Sequence, residues 1–598
     1  MKQNNINQQL IKESIFIIGY VSSVSRSVKI KVNKNKNASH LLYNGQVLKN
    51  ISVNSYVKIT KFTNIIKVEE YIETKKPYNK EYNKEEDLIE RYLEVSLFGH
   101  FEEKFQQIKE MPLVDNECYL LDREEFEALH KFNKEEETIN IVLTEEPAQE
   151  IKVSINSLFA SHIVFNTSKS NTLARIYYEL FKTMENSKFQ SNSKFIIIDF
   201  NEYKDDEIIT NNKKVYNLST RNEKEDKIPL NENDLIDLEL ISILANATEK
   251  TQKPFIERTL NLYKRVHKKN EIQESIDEQI LNHFKNNLKK QLKSTLKMTI
   301  KDKVYTLMDY FEIILVNNFY DDIYDNELKR PEWQNKYSYY IENQFSDEDI
   351  EKLELYKKID NYKFPNNSIS KLIDFLYLQI IFDIYDKAQN EHISPAINKL
   401  RSRQKDIEKI FNTANTKIFD EDKNLIVINL KDTNTETKKT IPLLISKKLY
   451  EEHKSDKDFK DKTLHIIIDE AHNILSDSSE RESKDWKDYR LETFEEIIKE
   501  RKFNVFLTIA SQRPSDISAT IISQLHNYFI HKLINDFDIN AIHKTVAYLD
   551  KLSFESIPIL STSCFFALAT NLPVKVNIKE LDEKNKPNST VTLDDIRK

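Results

Sequence analysis

At 598 residues the chain is too long for one hydrophobic core, so two to four domains are expected. Charged residues make up 31%, and no run approaches the roughly 18 uncharged apolar residues that a membrane span needs. The net charge of -8 (89 basic against 97 acidic residues) excludes a global basic field, and two cysteines, Cys118 and Cys564, exclude a disulfide framework or a zinc cluster. The first ten residues, MKQNNINQQL, lack the apolar core of a signal peptide. A cytoplasmic protein whose nucleic-acid contacts, if any, are local is the expectation.

Residues 15–32, IFIIGYVSSVSRSVKIKV, end in alternation, with Val28, Ile30 and Val32 on one face and Lys29 and Lys31 on the other. That is a half-buried strand. SYVKITKF and YLEVSLFGHF continue the pattern, predicting a small β-barrel over 1–150. From 151 to 249 the texture changes. Strand SHIVF precedes a helix with Leu173, Ile176, Tyr177, Leu180 and Phe181 on one face, and FIIID follows as a strand covered on both sides. This is the start of a βαβ core. Residues 250–415 read as a helical insertion of about four helices, with Ile276, Ile280, Phe284, Leu288 and Leu292 recurring every four positions. Strand texture returns over 416–572 at NLIVINL, LHIIIDE, NVFLTIAS and NYFIHKLI. The tail, 573–598, is polar, with VKVNI as a last candidate strand.

Three segments carry chemistry. LHIIIDEAHNIL is an apolar strand ending in Asp469 and Glu470, at the edge where α/β sheets bind ligands. In a nucleotide hydrolase the aspartate holds the Mg²⁺ shell and the glutamate polarises the attacking water; an acidic strand end capping the next helix is the other reading. HIVFNTSKSNTLA has the strand–turn–helix layout of a phosphate loop, in which Lys169 meets phosphates and Ser170 binds Mg²⁺. A lone Lys-Ser pair also fits an ordinary helix start. FLTIASQRPSDIS ends a strand in Ser511, Gln512 and Arg513, which suits either an amide beside a γ-phosphate or a polar turn held by Pro514. His472 reads as a helix-start or packing residue, and the lysines of LKKQLKSTLK as a solvated helix face rather than a DNA contact.

In series, HIVF…KSNT, IIIDFNEY, NATEKTQKPF, IIIDEAHNIL, KERKFNVFLTIASQRPSDIS and SQLHNYFIHKLINDFD resemble the HerA family, within the HerA/FtsK group of P-loop ATPases. The opening IIGYVSSVS resembles the barrel that precedes the motor in that family. The resemblance implies an α/β fold: a RecA-like core with a parallel sheet, an N-terminal β-barrel and the helical insertion. It implies ATP and Mg²⁺ as ligands. Asn166, Thr167, Ser168, Lys169, Ser170 and Asn171 would form the phosphate loop, with Asp199 and Glu202 lining the site. Asp469 and Ser170 would hold the metal, Glu470 would be the catalytic glutamate and Gln512 the sensor. Arg501 would reach a neighbouring subunit's γ-phosphate, with Arg513 as its competitor. The partners implied are a homohexameric ring, double-stranded DNA in its pore, and a separate sirtuin-like or nuclease effector in antiphage defence. The alternative is a ring with weak hydrolysis that serves as a scaffold for that effector.

One departure is systematic. The chain has 3 glycines (Gly19, Gly45 and Gly99) where about 7% usage predicts roughly 42. The family's F-G-x-T-G-S-G-K-S-N-T is here FNTSKSNT, with every other residue in place. The same holds for DFNEY and KERKF. Two readings follow: a sequence written without glycines that the chain contains, or a loop that is truly glycine-free and binds nucleotide poorly.

Overall fold

The computed structural model describes most of the chain between Ser14 and Ile578; the longer intervals outside that description are 76–88, 126–136, 201–208, 299–306 and 316–345, and 167–169 also falls outside it. In the N-terminal region, strands Val28–Val32, Ile17–Val24, Glu117–Leu120, Tyr56–Ile59, Asn64–Lys75 and Ile89–Phe101 pair in that order. Val28–Val32 also pairs with Ile89–Phe101, which closes the sheet on itself. Closure removes the sheet edges. Val28, Ile30 and Val32 point into the barrel core, as their alternation predicts. Gly19 has a specific reason to be glycine: a Cβ there would lie 2.0 Å from the Lys31 carbonyl oxygen.

The remainder is built on an 11-stranded sheet. Its strands are β1 (Thr138–Thr144), β2 (Glu150–Ser154), β3 (Ile163–Asn166), β4 (Ser193–Asp199), β5 (Lys213–Ser219), β6 (Leu425–Asp432), β7 (Thr463–Ile468), β8 (Val505–Ala510), β9 (Asn527–Ile530), β10 (Ser563–Ala567) and β11 (Val574–Ile578). The order across the sheet is β2-β1-β11-β10-β9-β3-β8-β7-β4-β6-β5. The seven strands from β9 to β5 are parallel, and the other four run antiparallel beside β9. Thus TINIVLT, which falls inside the stretch read as barrel, pairs with the large sheet beside EIKVS at the barrel–core boundary, and VKVNI pairs between β10 and β1.

Continuous apolar runs arise because both faces of the parallel sheet are covered. Ile196 and Ile198 of β4 face one way; Phe195 and Ile197 face the other. The second face is covered by α1 (Ser170–Thr183), through Leu173, Ile176, Tyr177, Leu180 and Phe181, all buried. The first face is covered by the helices between β5 and β6, among them α2 (Gln252–Lys268), α3 (Ile276–Leu296), α4 (Ser368–Asp386) and α5 (Asn390–Ile410), and by the two that follow β6 and β7, α6 (Thr435–Ser455) and α7 (Lys484–Lys499). A short parallel pair, Ile228–Leu230 with Phe411–Thr413, ties the segment that precedes the insertion to the insertion's end. On α3, Lys289, Lys293 and Lys297 pair with Asp360, Glu351 and Asp347, so these lysines are engaged within the chain. Each fully buried aliphatic side chain contributes about 1.5–3 kcal/mol, and the two faces together set the sheet's position.

Candidate functional site

Four parallel strands end side by side in the order β3, β8, β7, β4, and their carboxyl ends carry the residues of interest. The chain leaves β3 toward α1 and β4 on one side and returns later to β9 on the other. That reversal makes a crevice beyond the strand ends, where α/β sheets bind ligands. Short backbone bonds fix the ends in register. Ser511 N–H donates to Phe165 O at 2.9 Å, Ala471 N–H to Ala510 O at 2.8 Å, and Asp469 N–H to Ile198 O at 3.0 Å. Tyr177 and Thr508 share a hydroxyl bond of 2.8 Å that pins α1 to β8.

Three carboxylates meet at this edge. Asp199 closes β4 and Asp469 follows β7, in neighbouring strands. Burial, then the charges of Asp199 and Glu470, push the Asp469 carboxyl up to about 7. Its Oδ1 accepts the Glu470 N–H at 2.9 Å. Glu470 is buried, with left-handed backbone at φ 47. Gln512 Nε2 donates to its Oε1, and His472 Nδ1 lies 3.3 Å from its Oε2. The sequence reading of His472 as a packing residue is incomplete, because the ring faces the carboxylate. The one signal for it was its position two residues beyond Glu470.

Asn166, fully buried at the end of β3, has neither side-chain amide atom in a hydrogen bond. Beyond it, Thr167, Ser168 and Lys169 lie outside the described residues, as does Glu202; Ser170 and Asn171 are described only as the first turn of α1. Thr172, one step further, bonds His531 across 3.2 Å, a pair that sequence reasoning missed. Arg513 is exposed at the same edge, 3.9 Å from Asp516. Arg501 is elsewhere. It precedes β8, a strand's length of about 20 Å from Gln512, and donates to Ala160 O at 3.1 Å. Within its own protomer it is at the opposite edge of the sheet. Among the described residues, no group of three or more His, Cys, Asp or Glu side chains could hold a metal ion unaided. Nor does any described helix have the length and apolarity to cross a membrane.

The parallel order, with a strand between β3 and the Asp-Glu strand β7, defines a RecA-like P-loop NTPase fold. Part of the chain is similar in sequence to HerA-type helicases. It is 31% identical over 122 residues to the DNA double-strand break repair helicase HerA of Sulfurisphaera tokodaii, and 29% over 120 residues to a probable helicase of Methanocaldococcus jannaschii. Each match covers 20% of this chain and 23% or 22% of the relative, so the matched part spans less than a quarter of either curated protein. Among solved structures, VirB4 of Thermoanaerobacter pseudethanolicus aligns over 75% of this chain and 98% of its own, at 11% identity and a TM-score of 0.44. The plasmid coupling protein TrwB in complex with ADP and Mg²⁺ aligns over 72% and 88%, at 9% and 0.38. No family model matches the chain.

Proposed function

We propose that the chain is an ATP hydrolase that works as a ring-shaped motor on double-stranded DNA. The observation that carries this is the meeting of Asp199, Asp469, Glu470 and Gln512 at the carboxyl edge of the parallel sheet, beside the strand–helix connection that contains Lys169 and Ser170. A cation fits there. Asp469 is half-buried; desolvation first, and then the charges of two more carboxylates, raise its pKa, and Mg²⁺ relieves that repulsion. Mg²⁺ needs only one or two protein ligands, since phosphates and waters complete its shell. Asp469 and Ser170 would hold it, and when bound it neutralises charge on the phosphates. Glu470 takes the proton of the attacking water, Gln512 reads the γ-phosphate, and Lys169 steadies the developing charge.

The ring part of the proposal is supported by Arg501, which lies far from its own protomer's site, so that a role at a γ-phosphate would be in a neighbour's site. Arg513, at the site's own edge, is the other source of positive charge. DNA in the pore, and a separate nuclease or sirtuin-like effector outside it, complete the proposal.

ATP turnover with and without duplex DNA tests the reading. Turnover stimulated by DNA is expected, and Glu470→Gln lowers kcat about 10²–10⁴-fold while nucleotide still binds. Negligible turnover that ignores DNA, in an assembled ring, supports the second reading, a scaffold for the effector. The glycine-free FNTSKS loop favours that reading if it is the true sequence.

A further inference from the structure

A general base works only when its carboxylate is held in a defined orientation toward the water it deprotonates. The Glu470 backbone is not a relaxed platform. Left-handed geometry at a residue other than glycine costs about 1–2 kcal/mol, so the turn is held by its surroundings. Side chains from two elements reach the carboxylate: Gln512 donates a hydrogen bond to Oε1, and His472 Nδ1 stands 3.3 Å from Oε2, a close contact but not a hydrogen bond. The imidazole is itself placed, with the Ser511 hydroxyl 3.4 Å from Nδ1. Ser511 is buried and its N–H is bonded to Phe165 O, on the strand that leads into the phosphate loop. A continuous path therefore runs from β3 through Ser511 and His472 to Glu470. The helix His472–Leu475 does not need the ring for packing, since Ile474 and Leu475 are its buried residues.

We propose that His472 is a positioning residue for Glu470. Its imidazole stands against one carboxylate oxygen and limits how the carboxylate can turn, so that the other oxygen, released when the Gln512 amide turns to a γ-phosphate, faces the attacking water. The inference rests on the hydrolase reading above, and it adds a residue that touches neither nucleotide nor water. Its role resembles that of groups which orient a base or a metal ligand, whose loss costs about 10–100-fold.

Steady-state kinetics on the full chain test it. In His472→Ala, kcat falls about 10–100-fold with KM for ATP unchanged. His472→Asn, whose amide nitrogen can stand near the place of Nδ1, restores most of the loss. Equal loss in both variants, or a loss carried by KM, overturns the proposal. If the unaltered chain has no turnover, the hydrolase reading fails instead, and the contact is read directly. In histidine-labelled protein, the ¹⁵N resonance of His472 Nδ1, assigned with His472→Asn, shifts when Glu470→Gln is introduced. A resonance that does not move in that folded variant refutes the contact.

Discussion

Left-handed backbone falls, among the described residues other than glycine, on Asp115, Asn246, Glu470 and Asn504. Three of these are Asn or Asp, the types that bear such geometry best. Asn504 ends the turn before β8, and its amide also donates to Phe459 O at 3.3 Å and Lys460 O at 3.1 Å. Asn504→Ala therefore loses both the tolerant conformation and the bonds, and should cost about 1–2 kcal/mol in denaturant unfolding. Asn504→Gly should cost well under half of that, since glycine keeps the conformation. Equal losses would show that the side-chain bonds, not the backbone, hold the turn. At this scale the sequence exposed the site unevenly. Asp469, Glu470 and Gln512 were legible because each follows an apolar strand. Asp-Glu-Ala-His reads the same whether its histidine packs a helix or steadies a carboxylate, and the Thr172–His531 pair joins positions 359 apart, which no local pattern encodes.

Elements were legible where their burial was simple. LHIIID and FIIID are continuous apolar runs because helices cover both faces of β7 and β4, and the four-residue spacing of Phe284, Leu288 and Leu292 reports the buried side of α3. The antiparallel flank was not legible. β1 and β2 alternate much as barrel strands do, and nothing local says that β1 pairs with β11, more than 400 residues away. The strands are also anchored by neutral histidines. His162, just before β3, accepts the Leu507 N–H at Nδ1 (2.9 Å), so its Nε2–H donates to Ile498 O (3.0 Å). Burial, then the nearby Arg501 and His526, hold its pKa down to about 4. Burial likewise pushes His465, stacked on Phe195, down to about 3. The unfolded chain takes up these protons near pH 6.5 and the folded chain does not. Their contribution is thus present above about pH 6.5 and is lost as pH falls toward 4. Thermal melts should show stability dropping across that window, with a shallower drop in His162→Asn than in the unaltered chain. Parallel curves for the two would remove His162 from the acid response.

For the molecule as a whole, the question is whether its phosphate loop can exist with the residues written. Between the end of β3 at Asn166 and the start of α1 at Ser170 there are three residues, Thr167, Ser168 and Lys169. A phosphate loop of the form G-x-x-x-x-G-K-[ST] is longer, and it turns its N–H groups inward through positions that only glycine takes readily. Three such residues cannot do this, whereas the same residues with the family's glycines restored can. Asn504 shows that the chain substitutes asparagine where a single left-handed position is needed. That makes the clean loss of glycine in FNTSKS, with each neighbour kept, a different kind of event from replacement. The first of the two readings, a chain that contains further glycines, accounts for this pattern. The intact mass should then exceed 70.9 kDa by a whole number of glycine residues, and fragmentation across residues 160–175 should place several of them around Thr167 and Lys169. A mass of 70.9 kDa would instead leave a three-residue connection with no means of wrapping phosphates, and nucleotide affinity should be negligible in equilibrium dialysis. The two measurements must agree: a chain of the written mass that still binds ATP tightly would mean that Lys169 and the strand ends hold the triphosphate without the loop, and the phosphate-loop assignment would be wrong.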